Sequence, residues 1–359
     1  MGGAGVKKDV YKLGIVGYGG MGAYHPRIFS GKVDGLLVGG VFDADPSRLA
    51  AARSDGFRAF DSLEALLASD NIDVVLVATP NDLHASVSIG AMRRGKHVVC
   101  EKPAARNLSE LEEMIAVSAE CGVLFTVHQN RRLDHDYLMV RDIFQSGKLG
   151  EIFSVVSRVQ GSNGVPSGWR REKAHGGGML LGWGVHLIDQ LLILTDEPVT
   201  RLYCDMQYVE RLDCEDTFEL ILTFENGLRA AANVGTRYYL PLPRWSVSGT
   251  EGAAVIEDWK LNGRVVRLAE QRDVEFEPTI ALTAVGPTKT MAPRSEKTLR
   301  TEPLPDVRGD AADFYRNLVA AMRGEAPLAV LPGQVARTTA VMDAAFRSAK
   351  THQALEVRI

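Results

Sequence analysis

Apolar residues follow two different rhythms along this chain. As far as residue 127, short continuous apolar runs alternate with stretches that fit helices. That is the pattern of parallel strands buried on both faces and joined by crossover helices. Leu13, Ile15 and Val16 make the first run, and a helix-compatible stretch spans 21–29. Leu36–Phe42 is the second strand, followed by helices over 46–54 and 62–68, the latter with Leu63, Leu66 and Leu67 on one side. The run 73–79 is a buried strand stopped by Pro80, and His97–Cys100 is the next. Ser109-x-x-Glu112 matches a capping box with Leu108 as its staple, which predicts a helix to Cys121 ended by Gly122. The last strand of this half covers 123–127.

From about Glu151 the strands lengthen and alternate. Phe218, Leu220, Leu222 and Phe224 share one face, and Asn226-Gly227 and Asn262-Gly263 are two-residue hairpin signals. A mostly antiparallel sheet with one covered face follows. The stretch 272–308, rich in charge, Pro and Thr without periodicity, reads as a long loop or arm. Asp310 caps a helix to Arg323 and Pro332 opens another to about Lys350, both expected to pack back on the first domain.

The first strand runs into Gly17-Tyr18-Gly19-Gly20-Met21-Gly22. In a strand–turn–helix context this spacing serves a dinucleotide. Gly17 allows the reversal, Gly19 lets backbone approach a pyrophosphate, and Gly22 lets the helix pack on the strand. Asp43, ending the second strand, suits the ribose hydroxyls of NAD and repels the 2′-phosphate of NADP, although Arg48 lies within reach of such a phosphate. Loops after strand C-termini hold ligands in such sheets, so Thr79, Pro80, Asn81 and His84 join the cofactor crevice. For His84 a solvated helix-start ring is an equally good reading. The expected fold class is an α/β Rossmann domain plus a C-terminal α+β domain with a large, mostly antiparallel open sheet. The division is 1–128 for dinucleotide binding, 129–330 for substrate and oligomerisation, and 331–359 for a helix and strand packing back.

With 359 residues there is room for two cores, and a net charge of −4 without concentrated Lys/Arg excludes a nucleic-acid binder. No apolar run is long enough for a bilayer. The four cysteines are scattered without metal-ligand spacing, so the expectation is free thiols, a reducing cytoplasm and no metal.

Two further stretches carry chemistry: Glu101-Lys102-Pro103 after a strand, and the Gly-rich 176–189 block containing His186 and Asp189. On one helix those two lie at i and i+3, on the same face. An imidazole there takes a substrate hydroxyl's proton, and a lysine opposite stabilises the developing alkoxide. Taken singly, a lysine before proline is more often a solvated loop residue, and a histidine on an apolar helix more often core.

Together these stretches resemble the Gfo/Idh/MocA family of NAD(P)-dependent sugar and cyclitol oxidoreductases. The resemblance runs through the glycine loop, Asp43, Thr79-Pro80-Asn81 with His84, Glu101-Lys102-Pro103, Gln129-Asn130-Arg131-Arg132 and the 176–189 block. It implies Lys102 and His186 as catalytic residues, with Glu101, Lys102 and Gln129 added to the cofactor site. It also implies a commonly cis Lys–Pro bond, a carbohydrate or polyol substrate, and a homodimer or homotetramer; the choice of NAD over NADP rests on Asp43. Family members usually carry Asp four residues before the histidine, and this chain has Gly182 there. The site therefore runs on Lys102 and His186 alone, borrows another carboxylate, or has lost chemistry. The last case makes the protein a dinucleotide-binding sensor or regulatory subunit; an aldose–aldose oxidoreductase that recycles bound cofactor is a third reading. Arg131, Trp169, Arg170 and Trp183 are expected on the substrate side with Lys102, Gly182 and His186; Tyr238, Tyr239 and Arg244 are weaker candidates.

Overall fold

The computed structural model describes residues 8–269, 279–290 and 294–359. Its first sheet has five parallel strands, β1 (Tyr11–Val16), β2 (Leu36–Phe42), β3 (Val74–Val77), β4 (His97–Cys100) and β5 (Phe125–Val127), in the order β2-β1-β3-β4-β5. All four residues of β3 are buried, as a strand covered on both faces requires. The crossovers carry α1 (Gly20–Phe29), α2 (Pro46–Ser54), α3 (Leu63–Ala68), α4 (His84–Met92) and α5 (Leu108–Cys121). Strand order reverses between β1 and β3, so a crevice opens beyond their C-terminal ends.

After α6 (His135–Gln145) come β6 (Ile152–Gln160), α7 (Val185–Leu192), β7 (Val199–Gln207), β8 (Thr217–Phe224), β9 (Arg229–Gly235), β10 (Trp245–Gly249), β11 (Gly252–Ile256) and β12 (Gly263–Leu268). A hairpin of β13 (Thr279–Thr283) and β14 (Gly286–Thr290) precedes β15 (Leu299–Glu302), α8 (Ala312–Met322), α9 (Pro332–Thr351) and β16 (Leu355–Glu356). The large sheet runs β15-β12-β11-β10-β6-β9-β8-β7-β16, and only β6 and β9 pair in parallel among its described neighbours. Phe218, Leu220, Leu222 and Phe224 are buried on its covered face, as their alternation predicts.

Two apolar cores result. One surrounds the parallel sheet and takes in Phe314, Tyr315 and Leu318 of α8; the other lies between the large sheet and α6 and α7. Helix α9 enters both, with Val335 in the first core and Val341, Met342 and Ala345 in the second. Among the described residues no helix is long and apolar enough to cross a membrane.

Two expectations need correction. The N-cap of α5 is Asn107, not Ser109: Asn107 Oδ1 accepts the Glu110 amide at 3.0 Å, and Glu110 reaches back to the Arg106 amide at 3.0 Å. Asn and Glu at that spacing satisfy the same free amides, two residues earlier. The stretch 272–308 is not simply an arm, because β15 extends the large sheet by pairing with β12 and the Arg267–Glu302 ion pair joins the two strands. An edge strand held by backbone pairing needs no alternating apolar pattern. Parts of that stretch, 272–278 and 291–293, lie outside the described residues.

Candidate active site

The glycine loop is shaped by close backbone approach. Gly17 has φ +93°, and a Cβ there would stand 2.6 Å from the Ala78 carbonyl; at Gly22 it would stand 1.9 Å from the Gly17 carbonyl. A Cβ added at Gly20 would meet nothing within 4 Å beyond its own chain neighbours and helix backbone, and one at Gly19 would meet only the Arg48 guanidinium. The α1 N-terminus has no side-chain cap and no acidic residue in its first turn. Its amides and open backbone thus form an anion cradle that fits a pyrophosphate.

Asp43 is buried and ties this loop to the end of β2. Its Oδ2 accepts the Tyr18 amide at 2.7 Å and its Oδ1 the Asp45 amide at 2.8 Å. Arg48 Nη1 stands 3.4 Å from the same carboxylate, over the loop. The Tyr18 side chain turns away, its hydroxyl donating to Asp55 at 2.7 Å. Deeper in the crevice, Thr79 Oγ1 and both side-chain polar atoms of Gln129 are buried without protein partners. Orphaned donors and acceptors at the ends of β3 and β5 fit the amide and ribose of a dinucleotide.

His84 is buried rather than solvated: Nδ1 lies 2.7 Å from the Pro103 carbonyl and Nε2 3.0 Å from that of Thr79. The ring clamps the loops after β3 and β4 together. Asn81 does similar work, donating to the Gly176 carbonyl at 2.9 Å.

Glu101 is the hub of a network that sequence reasoning did not find. Its Oε1 accepts from His25 Nε2 at 3.0 Å and from His128 Nδ1 at 2.8 Å, while Oε2 accepts the Lys102 amide at 3.2 Å. Tyr315 of α8 donates to His25 Nδ1 and fixes that tautomer. Burial alone would raise the Glu101 pKa, but the bonds from His128 and His25 outweigh it and hold the carboxylate well below its usual range. His25, Glu101 and His128 offer three ligand atoms within 4.8 Å, a donor set suited to a divalent cation. Ordinary hydrogen bonding already accounts for the two short separations.

The Lys102–Pro103 bond is cis. Lys102 Nζ donates to the Gly182 carbonyl at 3.1 Å. Burial lowers the Lys102 pKa to about 8; Glu101 opposes this, and Arg131 and Arg170 add to it. Gly182 sits in a π-helical turn, Leu180–Gly184, at the start of α7, where a Cβ would meet only the Met179 methyl at 3.5 Å. His186 of α7 is buried, with Nδ1 lacking any partner among the described residues. Burial, then the charges of Lys102 and Arg131, hold its pKa well below the usual value. The lysine and the imidazole therefore belong to one electrostatic environment.

Asp189 does not serve His186. Both its oxygens bind the Arg132 guanidinium at 2.7 Å. A spacing of i, i+3 gives a shared face, but the part-buried Arg132 guanidinium competes for the carboxylate and wins by bidentate geometry. Arg131 stacks on Trp183, its guanidinium carbon 4.2 Å from the ring centroid, and donates to Asp134 at 2.7 Å. Trp183 packs in turn against His186, with ring centroids 5.9 Å apart. Arg170 lies 4.6 Å over Trp169 at the exposed mouth. Beyond Arg131 a cavity of about 390 Å³ is walled by Tyr24, Asp134 and Trp259 among others. Glu215, also unforeseen, anchors the π-helical turn: Oε1 accepts the Leu180 amide at 2.8 Å, and burial raises its pKa to about 7. Arg244 belongs to the core instead, donating to Ser157 at 2.6 Å and pairing with Asp136 at 3.1 Å. Tyr239 points into solvent and Tyr238 packs over Gly235.

Residues 11–129 match the oxidoreductase family with an NAD-binding Rossmann fold, and 137–255 match the Gfo/Idh/MocA C-terminal domain. A solved NAD-binding protein from Listeria innocua superposes with a TM-score of 0.93 at 41% identity, over 98% of this chain and 100% of that one. The scyllo-inositol 2-dehydrogenase (NADP(+)) of Bacillus subtilis is 27% identical over 354 residues, 96% of this chain and 95% of that protein. Inositol 2-dehydrogenase 2 of Saccharopolyspora erythraea is 32% identical over 222 residues, 60% of this chain and 64% of that protein. With both halves matched, the chain belongs to the Gfo/Idh/MocA family of NAD-binding oxidoreductases.

Proposed function

We propose that this enzyme is an NAD-dependent dehydrogenase or reductase acting on a ring carbon of a sugar, glycoside or cyclitol. The observation that carries the reading is the pairing of Lys102 and His186 about Gly182, beyond a glycine cradle whose open backbone fits a pyrophosphate. Bound NAD supplies the acceptor for the hydride that leaves the carbinol carbon. His186, held neutral by its surroundings, takes the hydroxyl proton. Lys102 keeps two ammonium protons free of Gly182, and the developing alkoxide takes one of them. Arg131, Trp183, Trp169 and Arg170 form the substrate wall, where indole faces suit C–H faces of a pyranose.

The test is absorbance at 340 nm with NAD over a broad panel of sugars, cyclitols and glycosides, including redox-paired substrates. Turnover with at least one is expected, and silence across the panel overturns the reading. A second reading, a dinucleotide-binding sensor, draws on the missing side chain at Gly182 and the partnerless His186 Nδ1. It predicts NAD binding without turnover.

NAD is preferred to NADP because the Asp43 carboxylate holds the loop where a 2′-phosphate would sit, although the Bacillus relative is named for NADP(+). Dissociation constants decide: NAD is expected to bind at least ten-fold tighter, and Asp43→Ser to narrow the gap. Division at about residue 128 and assembly as a homodimer or homotetramer through the open face of the large sheet belong to the same proposal.

A further inference from the structure

Each carboxylate lining the crevice hydrogen-bonds to a partner other than the Lys102 ammonium. Glu101 is engaged by His25, His128 and the Lys102 amide; Asp189 by Arg132; Asp134 by Arg131; and Glu215 by the Leu180 amide. Among the described residues Lys102 Nζ has only the neutral Gly182 carbonyl as a hydrogen-bond partner, with the Glu101 charge acting on it through space, and Arg170, stacked on Trp169, makes no ion pair. Beside the same Gly182 there is room, since a Cβ there touches only one methyl group. One turn on, buried His186 Nδ1 lacks a protein partner. A part-buried cation, an orphaned imidazole nitrogen and an unfilled side-chain position together describe a place for an anion.

We propose that the substrate is a sugar or polyol bearing a carboxylate, received beside Gly182 on the Lys102 ammonium, with Arg170 guiding it at the mouth. This rests on the dehydrogenase reading above. An ammonium has three donors. One is spent on Gly182, leaving one for the carboxylate and one for the reacting hydroxyl, so the acid group lies close to the carbon oxidised. The cation–π stack on Trp169 keeps the Arg170 fork extended for a planar anion.

The experiment is calorimetric binding of matched ligands (glucose, glucuronate and glucose 6-phosphate) to the full chain saturated with NADH, alongside turnover of the same compounds and their stereoisomers with NAD. Glucuronate-type acids are expected to bind at least ten-fold tighter than their neutral counterparts. Gly182→Asp, which plants a carboxylate in the same space, is expected to erase that preference, while Gly182→Asn, similar in size but uncharged, retains part of it. Arg170→Gln is expected to weaken acids several-fold more than neutral sugars. Equal binding of acid and neutral sugar, an unchanged preference in Gly182→Asp, or tighter binding of the phosphate than of the acid overturns the inference. Turnover confined to neutral sugars removes the anion subsite and leaves the dehydrogenase standing. Selective binding of acids without turnover of any compound does the reverse.

Discussion

In the proposed mechanism Lys102 and His186 divide the chemistry because one environment shifts both. Burial takes the lysine to about 8, so its ammonium persists through neutrality and is lost above that value. Burial and two neighbouring cations keep the imidazole unprotonated far below neutrality. The kcat/KM for oxidation should therefore be level from pH 6.5 to 7.5 and fall above 8 with a single proton. Lys102→Arg, whose charge does not titrate there, should remove that basic limb from the pH–rate profile even if the rate drops. His186→Asn should cost about 10²- to 10⁴-fold in kcat, the range of a general base, with NADH affinity unchanged by fluorescence titration. Both residues were legible in the sequence because each sits in a short motif. Their partners were not. Nothing local in Asp189 reveals that Arg132 holds it, and the His25–Glu101–His128–Tyr315 network joins residues up to 290 positions apart.

The elements that present these residues are set by their ends. The cap of α5 lies at Asn107, so Asn107→Ala should cost about 1 kcal/mol in chemical denaturation while Ser109→Ala costs a few tenths. The reverse ranking would return the cap to Ser109. At the start of α7 the π-helical turn leaves backbone amides in need of partners, and Glu215 supplies one from the chain just before β8. Glu215→Ala strands the buried Leu180 amide. A loss of about 1–3 kcal/mol is expected, with a fall in kcat/KM because Gly182 moves with the turn. A periodicity argument does not reach this feature, since a π turn has no apolar signature of its own. By contrast the parallel strands were plain, because a fully buried strand must be apolar along its whole length.

Over the whole molecule, α9 contributes side chains to both cores and so joins the two halves. Acid should test that unity. Burial leads the causes that depress His25, His84, His97 and His186. Below about pH 6.5 the unfolded chain takes up protons that these folded rings refuse, so stability declines as pH falls. Thermal midpoints measured from pH 7.5 to 5 should drop in step, and His84→Gln should flatten part of that slope. The open face of the large sheet carries half-exposed Tyr203 and Ile221, and light scattering is expected to return twice or four times the chain mass.

What the chain by itself determined was whatever has a local cause: buried strands from continuous apolar runs, hairpins from Asn-Gly pairs, and a glycine turn whose close approaches forbid side chains. Only the tertiary structure decided which charge answers which. A carboxylate's partner depends on distance through space, and in a buried crevice the nearest competing guanidinium or imidazole takes it, whatever lies beside it in sequence.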